Sequence, residues 1–219
     1  MKNYDVILFD LDGTLTDSSQ GIINSIVYAL KKYDIAVEDT AELNNFLGPP
    51  LHESFRNFYG FDEKKAMEAT CFYREYFRTK GIFENQVYSG IPTMLKQLSD
   101  EGKRLVLATS KPQEFTNRIM EHFDLAKYFE FIAGSNMDGT RSKKADVIEY
   151  ALMECRITDK SKAVMVGDRK QDIIGAKAVG IDSIGVEYGY GAYEELNNAD
   201  ATYIVKTVSE LEDLLRSVK

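Results

Sequence analysis

The chain has 219 residues, 44% of them hydrophobic, enough to bury the core of one large domain or of one domain carrying an insertion. A formal net charge of −8 argues against a nucleic-acid polymer or a membrane surface as partner, although local cations or a metal leave room for a small anionic substrate. Cys71 and Cys155 match no zinc-ligand spacing and read as buried packing residues of a protein in a reducing compartment.

The first element is Val6-Ile7-Leu8-Phe9, an apolar run that reads as a buried strand. Asp5, Asp10 and Asp12 interrupt the apolar character on both sides, so no leader of signal length is expected. No run of about 18 apolar residues occurs either, and the expectation is a cytoplasmic protein. The strand delivers two acids, Asp10 and Asp12, into a Gly13-Thr14 turn. Side chains alternate along a strand, so both acids share a face if the strand continues to Asp12. Gly13 lets the backbone curl just beyond it. Clustered carboxylates repel and call for a cation, a shared proton or a reaction that uses the difference between them. The alternative is a strand that ends in a solvated Asp-Gly turn.

Helical periodicity follows. Ile22, Ile23, Ile26, Val27 and Leu30 recur at three- and four-residue steps, with Asp17, Ser18 or Ser19 as cap. A short helical segment includes Leu43, Phe46 and Leu47 and is broken by Gly48-Pro49-Pro50. Two further helices are expected over 51–59 and 62–79, separated by Gly60. No strand signal occurs between Ser18 and about Phe83, so this block reads as an inserted helical module. From Gly90 onward helices and strands alternate. Helices are expected around Pro92–Leu98, from Pro112 through Ile119, at 145–155, at 172–179 and at 209–217. Strands are expected at 104–108, 129–133, 163–166, 182–186 and 203–205. That alternation specifies an α/β domain with a parallel sheet covered on both faces. The core is expected over residues 1–17 and 86–219, and the helical insertion, placed to act as a lid, over 18–85.

Four strand-to-helix junctions on one sheet edge carry polar residues: Asp10/Asp12/Thr14, Thr109-Ser110-Lys111, Lys143 or Lys144, and Gly167-Asp168 with Asp172. Each has an ordinary structural use, as a helix cap, a solvated lysine or a first-turn acid. Together they converge on one point and suit phosphoryl transfer. A carboxylate attacks phosphorus once the phosphate charge is neutralised, and water splits the resulting acyl phosphate. Carboxylate oxygens bind Mg²⁺. A lysine and hydroxyl or amide donors stabilise the equatorial oxygens. A second carboxylate moves the proton.

The segments ILFDLDGTLTDS, LATSKP, SKKADVI and VMVGDRKQD, in that order, resemble the fingerprint of the haloacid dehalogenase superfamily. The resemblance spans nearly the whole chain. It implies a Rossmann-like core with a helical cap, as in the phosphoglycolate phosphatase-like branch. It makes Asp10 the nucleophile and a metal ligand. Asp12 becomes the general acid/base, with its backbone carbonyl offered to Mg²⁺, and Asp168 the third ligand. Thr109, the Ser110 amide, Lys144 and Gly13 would surround the phosphate, with Asp172 in support behind. Lys144 rather than Lys143 stands just before an Ala-x-x-Ile helix start, as in similar sequences. Superfamily dehalogenases lack the second aspartate, so Asp12 favours phosphatases and phosphomutases.

Arg169 departs from the Ser or Thr of many relatives. GDRxxDxxGA, DGTRSxK (138–144) and GYGxxEEL (189–196) resemble a bacterial branch described as phosphoglycolate phosphatase-like or 5′-nucleotidase-like. The expected activity is Mg²⁺-dependent hydrolysis of a small phosphorylated metabolite by a monomer or homodimer. A sugar phosphomutase and a non-catalytic phospho-ligand-binding relative are the alternatives. Gly48, Pro49, His52 and Arg141 are candidates for substrate selection. The aromatic residues Phe55, Phe58, Tyr59, Phe61, Phe72, Tyr73, Tyr76 and Phe77 read mainly as the core of the helical bundle.

Overall fold

Four consecutive apolar residues, Val6–Phe9 (β1), are buried on both faces, which places this strand in the interior of a sheet covered by helices. A computed structural model of the chain describes residues 2–138 and 140–216. β1 lies between β4 (Arg104–Pro112) and β6 (Ala163–Gly167), parallel to both. The sheet continues outward to β5 (Phe131–Ser135) on one side and to β7 (Asp182–Val186) and β8 (Tyr203–Val205) on the other, giving the order β5-β4-β1-β6-β7-β8. All pairings are parallel. The strand order reverses at β1, and the carboxyl ends beside such a reversal are where open α/β sheets bind ligands.

Val6, Leu8, Val106, Ala108, Ala133, Ala163 and Met165 form one face of the sheet. They pack with Val147, Ile148, Ala151 and Leu152 of α6 (Lys144–Glu154) and Ala176 of α7 (Lys170–Val179). The alternate residues Ile7, Phe9, Leu105, Leu107, Val164 and Val166 are equally buried. α4 (Ile91–Asp100) and α5 (Gln113–His122) pack against β4. Burying a Val, Leu or Ile side chain contributes about 1.5–3 kcal/mol, so two covered faces outweigh the weak local preferences of such short strands. α8 (Tyr193–Asn198) and α9 (Val208–Arg216) complete this unit, the sheet being an α/β Rossmann-like one. The helix expected over 209–217 is α9; Ser217 lies outside the described residues.

Contacts divide the chain into two compact units, 1–16 with 87–219 and 17–86, against the expected division at 17/18 and 85/86. Where the chain passes between them, β2 (Thr16–Asp17) and β3 (Gln86–Val87) pair as a separate ribbon. The second unit is helical, built from α1 (Ser19–Lys31), α2 (Leu51–Tyr59) and α3 (Glu63–Thr79), with 3₁₀ turns at Thr40–Phe46 and Gly81–Phe83. Asp62 caps α3 by accepting from the Lys65 amide, 2.8 Å. Phe55, Phe61, Tyr73 and Phe77 are buried within this unit, whereas Phe58 is exposed. One cysteine departs from expectation: Cys155 is buried but Cys71 is exposed, because its position on α3 faces away from the buried stripe Ala66, Ala69, Thr70, Tyr73 and Phe77. Among the described residues no helix is long and apolar enough to cross a membrane.

Candidate active site

Strand alternation decides the first pair of acids. Leu11 is fully buried, while Asp10 and Asp12, on either side of it, keep 13% and 21% side-chain exposure. The Asp10 amide donates to the Val166 carbonyl at 2.9 Å, so the β1–β6 ladder carries through the first acid. The chain then folds back, with the Leu11 carbonyl accepting from the amides of Thr14, Leu15 and Thr16 at 3.2, 2.9 and 3.0 Å. Gly13 has φ +80°, and a Cβ there would lie 2.1 Å from an Asp168 carboxylate oxygen. Backbone conformation and close approach both demand glycine.

Asp168 follows β6 directly and is fully buried. Its Oδ2 accepts from the Tyr190 amide at 2.8 Å, and the Thr14 hydroxyl approaches Oδ1 at 3.4 Å. Asp172, in the first turn of α7, is also buried and accepts from the Arg169 amide at 3.1 Å. Oxygens of Asp10, Asp168 and Asp172 all lie within 4.8 Å of one another.

Among the described residues one lysine pairs with this group. Lys144 is 6% exposed, and its Nζ lies 2.8 Å from Asp10 Oδ1, 2.8 Å from Asp172 Oδ1 and 3.1 Å from the Ala108 carbonyl. Lys143 is exposed. Thr109, the residue after Ala108, is 2% exposed and accepts from the Lys111 amide at 3.2 Å, so its hydroxyl caps the local turn rather than α5. Ser110 is exposed at the same strand end. Gly48, Pro49 and His52 belong to the helical unit. Arg141 stacks its guanidinium 3.9 Å from the Tyr150 ring and donates to the Gly134 carbonyl and Asn136 Oδ1, each at 3.1 Å. Its charge is engaged with its own loop and helix.

The electrostatics follow from burial. Desolvation first, then the neighbouring Asp172 and Asp10, pushes the Asp168 carboxyl well above the usual carboxylate range. Burial also raises Asp172, against the opposing pull of Lys144. Burial disfavours the Lys144 ammonium, but Asp10 and Asp172 more than offset it and raise its pKa. Three carboxyl groups thus cluster with one ammonium that pairs with two of them, and this set of hard oxygen donors fits a divalent cation such as Mg²⁺.

Two features of the site had no role assigned from the sequence, although Lys111 was among the polar residues of the second junction. Lys111 is 7% exposed in its side chain and pairs with Asp12 at 2.7 Å. It reaches there because β4 runs to Pro112 with a register shift after Ala108, where a strand over 104–108 was expected. The Tyr190 amide is a backbone group, and the Tyr188 hydroxyl beside it donates to the Thr14 carbonyl at 3.1 Å.

A family model of haloacid dehalogenase-like hydrolases matches residues 7–186. A 5′-nucleotidase of Pseudomonas aeruginosa is 42% identical over 98% of this chain and 96% of its own length. A Mycobacterium tuberculosis protein named tyrosine-protein kinase PtkA is 39% identical over 96% of this chain and 72% of its own. The crystal structure of a predicted phosphatase from Clostridium acetobutylicum superposes with a TM-score of 0.94 at 52% identity, covering 99% of this chain and 100% of that one.

Proposed function

The chain belongs to the haloacid dehalogenase-like hydrolases and is a phosphatase, and from that premise we propose that it hydrolyses a small-molecule phosphate monoester, with Mg²⁺, through an aspartyl phosphate on Asp10. One observation carries the reading: a buried ammonium lies 2.8 Å from both Asp10 and Asp172, and Asp10 is the acid of its cluster that retains exposure. In this reading an Asp10 carboxylate oxygen attacks phosphorus and the bond to the ester oxygen breaks. Asp12 gives its proton to the departing alkoxide, then takes one from the water that attacks the aspartyl phosphate. The second attack breaks the bond between phosphorus and Asp10 and releases phosphate. Lys144, Thr109 and the Ser110 and Gly13 backbone stabilise the equatorial oxygens. Lys111 keeps the Asp12 carboxylate in place. Asp10, Asp168 and the Asp12 carbonyl, supported by Asp172, would hold Mg²⁺, which supplies charge neutralisation at the phosphate. The helical unit acts as the cap, with Gly48, Pro49 and His52 its candidates for selecting substrate, and the free cysteines accord with a reducing cytoplasm.

The 42%-identical relative makes nucleoside 5′-monophosphates the first substrates to try, ahead of phosphoglycolate, whose named phosphatase is 26% identical. Phosphate release should fall by about a thousandfold or more in Asp10→Asn, with an unchanged circular dichroism spectrum. In Asp12→Asn it should fall about 10²–10⁴-fold, with a phosphoryl group retained on the protein in intact mass spectra. Turnover by Asp10→Asn would remove the nucleophile. Free phosphate as product supports hydrolysis; an isomerised sugar phosphate, or label passed from ATP to a protein, would replace it with phosphoryl transfer.

A further inference from the structure

Arg169 follows Asp168 directly, and it and the loop bearing Gly189-Tyr190-Gly191 are parts of the sequence the proposed chemistry leaves unused. The two meet. Arg169 Nε donates to Glu195 Oε1 at 2.8 Å and its terminal nitrogen to Oε2 at 3.3 Å, while the Lys170 amide also donates to Oε1 at 2.9 Å. The pair is largely shielded, with side-chain exposures of 17% and 24%, so it is not one of the loose surface pairs that contribute little.

Between β7 and α8 the chain has no regular structure, yet it presses against the acids. A Cβ on Gly189 would lie 2.2 Å from the Gly13 carbonyl and 2.4 Å from the Asp168 Cβ. Among the contacts that hold the loop and the helix after it are the Tyr188 hydroxyl on the Thr14 carbonyl, the Tyr190 amide on Asp168, and Glu195 on Arg169 and Lys170. The Tyr190 amide is a strong donor to one oxygen of the fully buried Asp168, so it fixes the orientation of the whole carboxylate. α8 is only six residues long and buries a single side chain, Leu196, so apolar packing alone holds it weakly.

We propose that Arg169 and Glu195 are positioning residues that set the cation affinity of the Asp10/Asp168/Asp172 cluster by clamping the Gly189–Gly191 loop, and with it the Tyr190 amide, onto Asp168. The proposal rests on the reading of Asp168 as a metal ligand. Partners that orient a metal ligand commonly alter affinity 10–100-fold, and this pair acts one bond further out, so about tenfold is expected.

The test is calorimetric titration of the intact chain with Mg²⁺, and with Mn²⁺ as a second probe. It is run at a temperature where melting curves show every variant folded. Glu195→Gln and Arg169→Met should each weaken binding about tenfold, the double variant no further than either single one, and Arg169→Lys should recover most of the affinity. In phosphate-release assays the loss should appear in the half-saturating Mg²⁺ concentration rather than in the rate at saturating Mg²⁺. Asp168→Asn reports on the underlying reading alone and should abolish binding. Unchanged affinity in Glu195→Gln and Arg169→Met, with binding lost in Asp168→Asn, would overturn the positioning role and leave the metal reading intact. Additive losses in the double variant would refute a shared clamp. Undiminished binding by Asp168→Asn would remove the metal reading, and the proposal with it.

Discussion

Two turns at neighbouring strand ends each carry a pair of acids, and they differ in what surrounds them. In the turn after β1, Asp10 and Asp12 lie two residues apart on one face of an extended segment, and both keep some exposure. In the turn after β6, Asp168 and Asp172 lie on either side of a helix start and are fully closed off. Each acid of the first turn pairs with a different lysine, Asp10 with Lys144 and Asp12 with Lys111. In the second turn Asp172 shares Lys144 with Asp10, and Asp168 is held by an amide. The difference accords with the proposed reading, in which Asp10 and Asp12 meet substrate and Asp168, supported by Asp172, helps to hold a cation. A group that exchanges protons with a substrate needs access, whereas a ligand for a hard cation gains from fixed orientation and low competition with water.

Removing Lys144 breaks both turns at once. Lys144→Met leaves the carboxylates of Asp10 and Asp172 without their ammonium. Denaturant titration of the metal-free protein at neutral pH should show a loss of about 3–5 kcal/mol, with phosphate release abolished. Lys111→Met acts on the first turn alone: kcat should fall about tenfold, with the midpoint of thermal unfolding unchanged within a degree or two. The smallest effect belongs to the second turn and has the opposite sign. Because its folded pKa is raised, Asp168 contributes most favourably to stability below its unfolded pKa, and that contribution is lost as pH rises through the folded value. Metal-free Asp168→Asn should therefore be more stable than the parent at pH 8, by on the order of 1 kcal/mol, and the gain should shrink toward pH 5. A melting series across that range, with and without Mg²⁺, measures it. A constant difference would show that the buried acid carries no such electrostatic penalty.

Much of this arrangement is legible in the chain. The acids Asp10, Asp12, Asp168 and Asp172, and the choice of Lys144 over Lys143, follow from motif register, and apolar runs locate all six strands of the main sheet. What escapes has a common cause. Lys111 meets Asp12 only through the register shift after Ala108, which lengthens β4 beyond its apolar run. α8 buries one residue, so its sequence carries no helical period. The Tyr190 amide belongs to the backbone, so the tyrosine side chain gives no sign of it. Arg141, a candidate for a substrate anion, contacts Tyr150, Gly134 and Asn136, none of which its loop sequence signals.

The amino-acid sequence by itself determined which groups gather at the sheet edge. Alternation along a strand and the position of a helix start are local properties, and burial of the apolar runs brings the strand ends side by side. Tertiary structure alone decided how those groups differ in exposure and partners. Exposure, ion pairing and the hold of one loop amide on Asp168 depend on contacts between segments more than twenty residues apart, such as Asp168 with Tyr190 and Arg169 with Glu195. Those contacts set the local dielectric and the orientation of each carboxylate, so four chemically identical aspartates stand in different surroundings.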